Sequence, residues 1–315
     1  MPLVSVIVPS YNKPQFLPEC LRSIQAQTFT DWECIVVDDG SPRGEEIRAA
    51  VEAMGDSRYR LVRHDVNRGP GAARNTGCRI ARAAYLIWVD EDDILSANCL
   101  QRLQEEIEKC NADIAHPRLA VVGELKWRMD LPNKDSALVT QSLSGSGFLI
   151  RRSAWRKVGG FDESMILNGR EDLEWWIRAV YADLRIQLVD DATYFYRAGA
   201  SRPERNLSLN WIARKRESKI RKYIVEKHSQ IYSKKNSQRK QFLLTGLLWE
   251  LEAHTATGCR VRVVRTRWRI AFLSRRWTDL KEAIRATLEM LCGQRVAAFV
   301  AELVAAGRRV ARRPS

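Results

Sequence analysis

The sequence predicts an α/β fold with a doubly wound sheet, followed by a basic helical region. Three observations lead to this prediction. Over the first 110 residues, short apolar runs alternate with segments of helical periodicity, the order that produces parallel strands joined by right-handed crossovers. After residue 110 strands and helices follow in a less regular order, which predicts that the sheet becomes mixed. From residue 206 onward the 315-residue chain shows helical patterns rich in arginine and lysine.

The predicted strands of the first part are short apolar runs, typical of strands buried on both faces of a sheet. The first of them is almost continuous in β-branched residues. The runs are Val4–Val8, Glu33–Val37, Arg60–Arg63 and Tyr85–Val89.

Helices are predicted between these strands. The first begins near Pro14, a residue suited to the first turn of a helix, and Leu17, Leu21 and Ile24 follow at helical spacing. The others cover about residues 45–54, the segment from the loop 65–71 to residue 83, and about 98–110.

The second part adds strand-like runs and one clear helix, Glu171–Tyr181. The strand-like runs are Leu119–Val122, Gly147–Ile150, Ile186–Val189 and Thr193–Tyr196. Glycine, serine and proline cluster between residues 199 and 206, as is typical of a linker. We therefore expect an α/β domain over residues 1–205 and a basic helical region over residues 206–315.

The net charge of +14 is unevenly distributed along the chain. Residues 1–205 contain 27 lysines and arginines against 30 aspartates and glutamates, a net charge of −3. Residues 206–315 contain 25 against 8, a net charge of +17. The two parts therefore need separate functional interpretations.

Cysteine usage and the N-terminus indicate a reducing compartment. The seven cysteines show no Cys-x-x-Cys spacing and do not cluster with the four histidines, which argues against a disulfide framework and a zinc site. The segment MPLVSVIVPSYN lacks the basic start of a signal peptide, and no run approaches the roughly 20 apolar residues that span a bilayer. We expect a cytoplasmic protein.

Polar clusters follow three of the predicted strands: Ser10–Asn12, Asp38–Ser41 and Asp90–Asp93. Ligands of open α/β sheets bind outside the carboxyl ends of the strands, so these clusters predict a binding site. Carboxylates in the third cluster are the oxygen ligands that Mg²⁺ and Mn²⁺ prefer. The alternative for this cluster is a solvated loop that caps the next helix.

Two further segments are suited to a nucleotide. Tyr11 offers a flat face for a base, and a carboxylate beside Gly40 can accept hydrogen bonds from a base or a ribose, although an ordinary turn is the alternative. The loop 67–75 enters a helix and contains Arg68 and Arg74, which favour anionic groups. It matches neither the Walker loop nor the dinucleotide fingerprint.

Taken together, these motifs resemble those of the family 2 glycosyltransferases of the GT-A fold. The resemblance covers about residues 3–200, and five ordered motifs make it specific for the family. The motifs are Val4–Asn12, Val37–Ser41, Asn67–Asn75, Val89–Asp93, and Gly159–Glu163 followed by Glu171–Trp175.

The resemblance implies a Rossmann-like nucleotide-sugar-binding domain, a nucleotide-sugar donor that we expect to be UDP-linked, and inversion at the anomeric carbon. It implies that Tyr11 stacks on the base and Asp39 bonds the edge of the base. Asp90 then lies towards the ribose and, with Asp92, forms the Asp-x-Asp element that holds Mn²⁺ or Mg²⁺. Asp172 is implied as the general base.

The remaining residues assigned through the resemblance flank these positions. For nucleotide-sugar binding they are Pro9, Arg68, Arg74 and Glu91, and for catalysis Glu171 beside the base. The chemistry of sugar transfer agrees with the assignment. A departing nucleoside diphosphate needs its charge stabilised, and an acceptor hydroxyl needs a carboxylate to take its proton. A simple carboxylate in the first turn of a helix is the alternative for Asp172.

The acceptor side is less well defined. The segment Gly145–Phe148 is similar to the acceptor segment of the family, and Trp155, Trp175 and Trp176 can stack on a sugar, although aromatic residues at helical spacing are more often core. Many relatives carry a Tyr-Arg-x-His segment after the last strand, and Gly199 stands at the position of that histidine.

The basic region predicts peripheral contact with an anionic membrane surface, because cations alternate with tryptophan and aliphatic residues. The segments are Arg214–Lys222, Arg260–Arg269 and Val296–Val300 with the arginines that follow. A helical appendage packed on the catalytic domain is the alternative. Nucleic-acid binding is not expected, since no recognised motif accompanies the charge.

The sequence therefore predicts an inverting, metal-dependent glycosyltransferase of the hexosyltransferase type. Its acceptor is expected to be a glycan or a lipid-linked sugar in bacterial surface polysaccharide synthesis at the inner face of the cell membrane. The alternative is a non-catalytic protein that binds sugar nucleotides and keeps the fold.

Overall fold

The computed structural model describes residues 1–121, 126–127, 131–139, 144–165, 170–197 and 207–292. The chain divides into two compact units, Met1–Glu204 and Arg205–Ser315. The first unit contains all of the strands described, and the described part of the second is helical.

The strands are β1 (Val4–Ser10), β2 (Trp32–Asp38), β3 (Tyr59–Arg63), β4 (Tyr85–Trp88), β5 (Ile94–Leu95), β6 (Ile114–Val121), β7 (Lys126–Trp127), β8 (Leu149–Arg151) and β9 (Ile186–Tyr196). The helices of the first unit are α1 (Leu17–Gln25), α2 (Gly44–Glu52), α3 (Pro70–Ile80), α4 (Cys99–Lys109), α5 (Lys134–Ala137), α6 (Arg152–Val158) and α7 (Glu171–Tyr181). Those of the second unit are α8 (Leu207–Lys227), α9 (Ser229–Tyr232), α10 (Asn236–Ala256), α11 (Arg260–Ser274) and α12 (Trp277–Cys292).

The strands form one mixed sheet in the order β3-β2-β1-β4-β8-β6-β9-β5, with β7 paired to β6. The first four strands are parallel, because each returns through a helix that crosses over the sheet. Beyond β4 the direction changes, since β8 pairs antiparallel with both β4 and β6. The predicted α/β fold with a mixed sheet is therefore confirmed.

Several predicted boundaries were wrong. The strand predicted as Leu119–Val122 begins at Ile114, and Val122 lies outside the described residues. Ile186–Val189 and Thr193–Tyr196 form one strand, β9, because β6 pairs with it in parallel along its whole length. The register shifts between Pro117 and Arg118, which pair with Val189 and Thr193, so the residues between those two partners bulge out of the ladder. The first helix begins at Leu17 instead of Pro14.

Alternation along β1 divides the core between the two faces of the sheet. Val4, Val6 and Val8 pack on one face with apolar residues of α1, α2 and α4, whereas Ile7 packs on the other with residues of α3, α6 and α7. Both faces of the sheet are therefore covered, which explains why its central strands are mostly apolar. The buried polar residues Ser5 and Glu33 interrupt them, and the Ser5 hydroxyl donates to Glu33 Oε1 at 2.7 Å.

The tryptophans near the end of the first unit belong to this core. Trp175 is fully buried and Trp176 is 3% exposed, and their indole N–H groups donate to the carbonyls of Gly159 and Ser144 at 3.0 and 2.9 Å. Phe148 packs between them, with ring centroids 5.6 and 4.8 Å away. The core interpretation of these two side chains is confirmed, and Trp155 packs against the same cluster.

Buried His116 in β6 is expected to make stability depend on pH. Its ring stacks on Phe148, its Nδ1 donates to the Pro117 carbonyl at 2.8 Å, and burial lowers the pKa of the ring from 6.5 to about 4. Between these values the unfolded chain binds a proton that the folded chain does not, so stability falls as the pH falls through this window. Between pH 7 and pH 4 we expect the wild type to lose about 3 kcal/mol more unfolding free energy than His116→Gln. Urea denaturation across this range checks the difference, and parallel pH profiles of the two proteins would contradict it.

The helices of the second unit carry the basic segments. The segments 214–222 and 260–269 fall in α8 and α11, while Val296–Val300 and the arginines after it lie outside the described residues. A search of the described helices finds none with the length and apolar character that a bilayer span requires.

Candidate active site

The polar clusters that follow β1, β2 and β4 meet at one edge of the sheet. Ser10 at the end of β1 is in register with Asp38 at the end of β2, and the backbone of Val89 after β4 bonds the carbonyl of Ile7. The carboxyl ends of these three neighbouring strands therefore form one floor, as the parallel order requires.

Glu91 fixes the segment that presents Tyr11. The Ser10 hydroxyl donates to one carboxylate oxygen of Glu91 at 2.5 Å, and the Tyr11 amide donates to the other at 3.0 Å. Burial raises the pKa of this carboxyl to about 7. The Tyr11 side chain is 42% exposed, so its ring has a free face, whereas Pro9 is buried in β1 opposite Val37.

Asp39 organises the loop that leads into α3. One of its oxygens accepts the Arg68 amide at 2.9 Å and faces the His64 ring nitrogen Nδ1 at 2.7 Å, and the other accepts the Gly69 amide at 2.7 Å. His64 also reaches the Thr76 hydroxyl through Nε2, at 2.9 Å. His64 was not among the predicted site residues. It stands alone after β3 in the sequence, and nothing around it indicates that it contacts Asp39. Because a carboxylate has about four acceptor positions, Asp39 keeps capacity for one further donor.

Gly40 allows this loop to approach β2. Its φ is +67°, and a Cβ built on it would lie 2.5 Å from the carbonyl carbon of Val66. Gly55 has a similar φ of +58° but no heavy atom within 4 Å of a Cβ. We expect Gly40→Ala to lower the free energy of unfolding by about 2 kcal/mol more than Gly55→Ala. Both substitutions strain a residue with positive φ, but only the alanine at position 40 would clash with backbone atoms. Urea denaturation of both variants measures this difference, and equal losses would contradict it.

The motif 159–163 joins the loop 67–75. The side-chain amide of Asn75 donates to the Phe161 carbonyl at 2.9 Å, and its oxygen accepts the Phe161 amide at 2.8 Å. Glu163 forms ion pairs with Arg68 at 2.7 Å and Arg79 at 3.2 Å. The exposed Arg68 is thus held at the rim of the site by a residue 95 positions away.

Arg74 connects three of the predicted site segments from a buried position. It is 5% exposed, and its guanidinium donates to Glu171 Oε1 at 2.7 Å and to Asp90 Oδ1 at 3.0 Å. The Ser146 hydroxyl donates to the same oxygen of Asp90 at 2.9 Å. Burial raises the pKa of Glu171, and the positive charge of Arg74 opposes that shift.

Asp172 lies next to this cluster in the first turn of α7, and it is half-buried where Glu171 is buried. Its Oδ1 accepts the amide of Leu173 at 2.8 Å. A Cβ built on Gly145 would lie 2.6 Å from Asp172 Oδ2, so the absence of a side chain at Gly145 leaves the space that this carboxylate occupies.

Asp90 and Asp92 are the residues that can hold a divalent cation. Within the ranges that the structure describes, no group of three or more His, Cys, Asp or Glu side chains is arranged to hold a metal ion. Mg²⁺ commonly uses one or two carboxylates together with substrate phosphates and water, so two carboxylates fit an ion that binds with a diphosphate. Lys13 brings a positive charge to Asp92, because the Lys13 Nζ atom lies 2.9 Å from Asp92 Oδ2.

The last acidic residue of the cluster, Asp93, is tied to β9. It accepts the Tyr194 hydroxyl at 2.6 Å and the Arg197 amide at 2.8 Å, and burial raises its pKa to about 7. The sequence analysis did not foresee Tyr194 or Lys13 here. Gly199, at which a departure from the family pattern was noted, lies outside the described residues.

Comparison with protein families gives one match that covers more than half of the chain. The model described as "Glycosyl transferase family 2" matches residues 5–174, a range that includes the segments around Tyr11, Asp39, Arg74, Asp90 and Asp172 but not Tyr194 and Arg197.

Two curated proteins illustrate the relatives. "Uncharacterized glycosyltransferase EpsJ" of Bacillus subtilis (strain 168) is 34% identical over 218 residues, which are 62% of this chain and 61% of that protein. "UDP-Glc:alpha-D-GlcNAc-diphosphoundecaprenol beta-1,3-glucosyltransferase WfgD" of Escherichia coli is 36% identical over 121 residues, 38% of this chain and 47% of that protein. The chain thus matches less than two thirds of the length of either relative.

A solved structure shows the same fold. The crystal structure of S. aureus TarS 1-349 in complex with UDP-GlcNAc has a TM-score of 0.58 and covers 97% of this chain and 92% of that chain. At 18% sequence identity the likeness is one of fold alone.

Proposed function

The chain belongs to glycosyl transferase family 2, and from this premise we propose that it is an inverting glycosyltransferase with a nucleotide-sugar donor. The donor is UDP-linked, and the acceptor is a glycan or a lipid-linked sugar. The observation that carries the proposal is the buried Arg74, which joins Asp90 of the strand-end cluster to Glu171 beside Asp172. This arrangement supports the proposal because Arg74 links Asp90, which we assign to the metal ion, to the neighbour of Asp172, which we assign as the general base.

The donor binds at the strand ends. The exposed ring of Tyr11 stacks on the base, and the remaining acceptor capacity of Asp39 bonds the edge of the base. Glu91 contributes by holding the Tyr11 segment, and Pro9 through its place in β1. The complex of TarS with UDP-GlcNAc supports a uridine nucleotide as the donor.

The diphosphate faces positive charge. Asp90 and Asp92 would hold Mn²⁺ or Mg²⁺, which would supply Lewis-acid stabilisation of the charge that develops on the leaving group. Lys13 forms an ion pair with Asp92 and adds a cation beside the diphosphate. Arg68 and Arg74 add two guanidinium groups, Arg68 at the rim and Arg74 beneath it, where it keeps Asp90 in position.

Asp172 takes the proton from the acceptor hydroxyl. The acceptor oxygen attacks the anomeric carbon from the side opposite the nucleoside diphosphate, so a new C–O bond forms as the old one breaks and the configuration inverts. Glu171 is buried and ion-paired with Arg74, which makes it a positioning residue, whereas Asp172 is half-buried and can reach an acceptor.

The names of relatives support a role in polysaccharide biosynthesis, and we place this role at the inner face of the cell membrane as part of the proposal. WfgD is named for transfer to a diphosphoundecaprenol-linked sugar, and two other relatives are named for colanic acid and succinoglycan biosynthesis. The net charge of +17 over residues 206–315 favours peripheral contact with anionic lipids.

Donor binding can be tested at Tyr11. We expect Tyr11→Ala to weaken binding of UDP, measured by isothermal titration calorimetry with Mn²⁺, about tenfold, because base stacking contributes roughly 1–3 kcal/mol. Tyr223→Ala is the matched control, since Tyr223 is 39% exposed against 42% for Tyr11 and lies in α8. Failure of the wild type to bind any UDP-sugar, or equal affinities of the two variants, would contradict the proposed donor site.

A further inference from the structure

The second unit contains a cavity between α8, α10 and α11. Its volume is about 560 Å³, within the range of small-ligand sites. All of its lining residues belong to this unit, and they are Lys219, Glu250, His254, Arg262, Arg265, Thr266 and Arg269.

The cavity is strongly cationic. Arg262, Arg265 and Arg269 recur at helical spacing on one face of α11, and Lys219 faces them from α8. Among the lining residues that the structure describes, Glu250 is the only carboxylate, so four positive charges meet one negative charge. All four cations are solvent-exposed, and an anion is the complementary ligand for such a cluster of like charges.

Glu250 organises part of the lining. Its two oxygens lie 3.1 and 3.0 Å from a guanidinium nitrogen of Arg269, and one lies 3.4 Å from His254 Nε2. The Ser218 hydroxyl also donates to it. Glu250 is thereby engaged, whereas Arg262 has no carboxylate partner in the described part of the chain.

His254 is a buried member of the lining. It is 4% exposed, and its Nδ1 atom is buried without a hydrogen-bond partner among the described residues. Buried polar atoms in proteins nearly always have a partner, and leaving one unsatisfied costs about 1–3 kcal/mol. Because the Nδ1 atom has almost no surface open to the cavity, it is the positive charge of the lining that indicates a ligand.

We propose that this cavity binds a phosphate or diphosphate group through the arginines of α11 and Lys219. The planar guanidinium fork matches the oxygens of a phosphate, and Lys219 adds a point charge from the opposite helix. The group is a free anion or the headgroup of a lipid. The inference does not depend on the transferase assignment, since the cavity lies wholly within the second unit.

The proposal is tested by isothermal titration calorimetry, which measures the affinity of the full chain for inorganic pyrophosphate. Saturating UDP is present to occupy the proposed donor site. We expect Arg262→Gln/Arg265→Gln to raise the dissociation constant at least tenfold. The control is Arg260→Gln/Arg276→Gln, which removes the same charge from exposed positions outside the lining and leaves the affinity unchanged. Lys219→Gln, on a different helix, gives a second measurement and is expected to weaken binding at least threefold.

Vesicles distinguish the two sources of the phosphate. If the cavity binds lipid headgroups, the control variant binds to phosphatidylglycerol vesicles and Arg262→Gln/Arg265→Gln does not. Pyrophosphate then competes with the vesicles for the control variant. If it takes a free anion, only the pyrophosphate affinity separates the two variants. Both outcomes support the phosphate site. Equal affinities of the two double variants for pyrophosphate and for vesicles, or no binding by the wild type, would overturn it.

Discussion

Asp172→Asn is expected to lower the rate of sugar transfer by about 10²–10⁴-fold while leaving the affinity for UDP unchanged. The amide keeps the size of the carboxylate and can still accept the Leu173 amide, but it cannot take a proton from the acceptor hydroxyl. Loss of kcat with constant donor affinity is the pattern of a group that acts in the transition state. Initial rates with a radiolabelled UDP-sugar, together with calorimetry of UDP binding, measure both quantities.

The control for this variant is Asp183→Asn. Asp183 lies just beyond the other end of α7 and forms an exposed ion pair with Lys134 at 2.7 Å. We expect Asp183→Asn to keep normal turnover and stability, since exposed pairs contribute about 0–1 kcal/mol. If Asp172→Asn retained turnover comparable with this control, Asp172 would not be the base.

Arg74→Met is expected to lower the free energy of unfolding by about 3–5 kcal/mol and to abolish transfer. The substitution removes the cation that pairs with both carboxylates, and it leaves the buried Glu171 and the partly exposed Asp90 without that charge. Chemical denaturation, read by a fluorescence probe of the first unit, measures the loss of stability.

Two variants make this result specific. Arg79→Met lies on the same helix, but the Arg79 side chain is 53% exposed and pairs with Glu163 at 3.2 Å, so we expect a loss of at most about 1 kcal/mol. Adding Glu171→Gln to Arg74→Met removes one uncompensated charge, and we expect it to restore part of the stability without restoring transfer. Equal losses in Arg74→Met and Arg79→Met would contradict the structural role of Arg74.

Much of the sheet and the position of the site could be predicted from the sequence. Residues buried on both faces form unbroken apolar runs, so β1, β2 and β4 are visible as strands, and the polar clusters after them fall at the same edge because the strands are parallel. The helix α7 begins and ends where its periodicity predicts. The short helix α6 was missed, since seven residues give too little periodicity to recognise.

The partners of the charged residues could not be predicted. Glu171 lies 97 positions from Arg74, and Lys13 lies 79 positions from Asp92, so these ion pairs depend on how distant loops meet at the sheet edge. Asp39 was expected to face a base, yet most of its hydrogen-bonding capacity holds the loop before α3. A sequence motif indicates which residues share a site, and the tertiary fold decides which of them contact each other.

The stereochemistry of the transferred sugar tests the central claim most directly. The full chain is incubated with Mn²⁺, UDP-glucose or UDP-N-acetylglucosamine in the α configuration, and a synthetic lipid-diphosphate-linked sugar, and the new linkage is identified by NMR. A single displacement with Asp172 as the base predicts a β-linked product. An α-linked product, or the absence of transfer from either donor, would contradict the account.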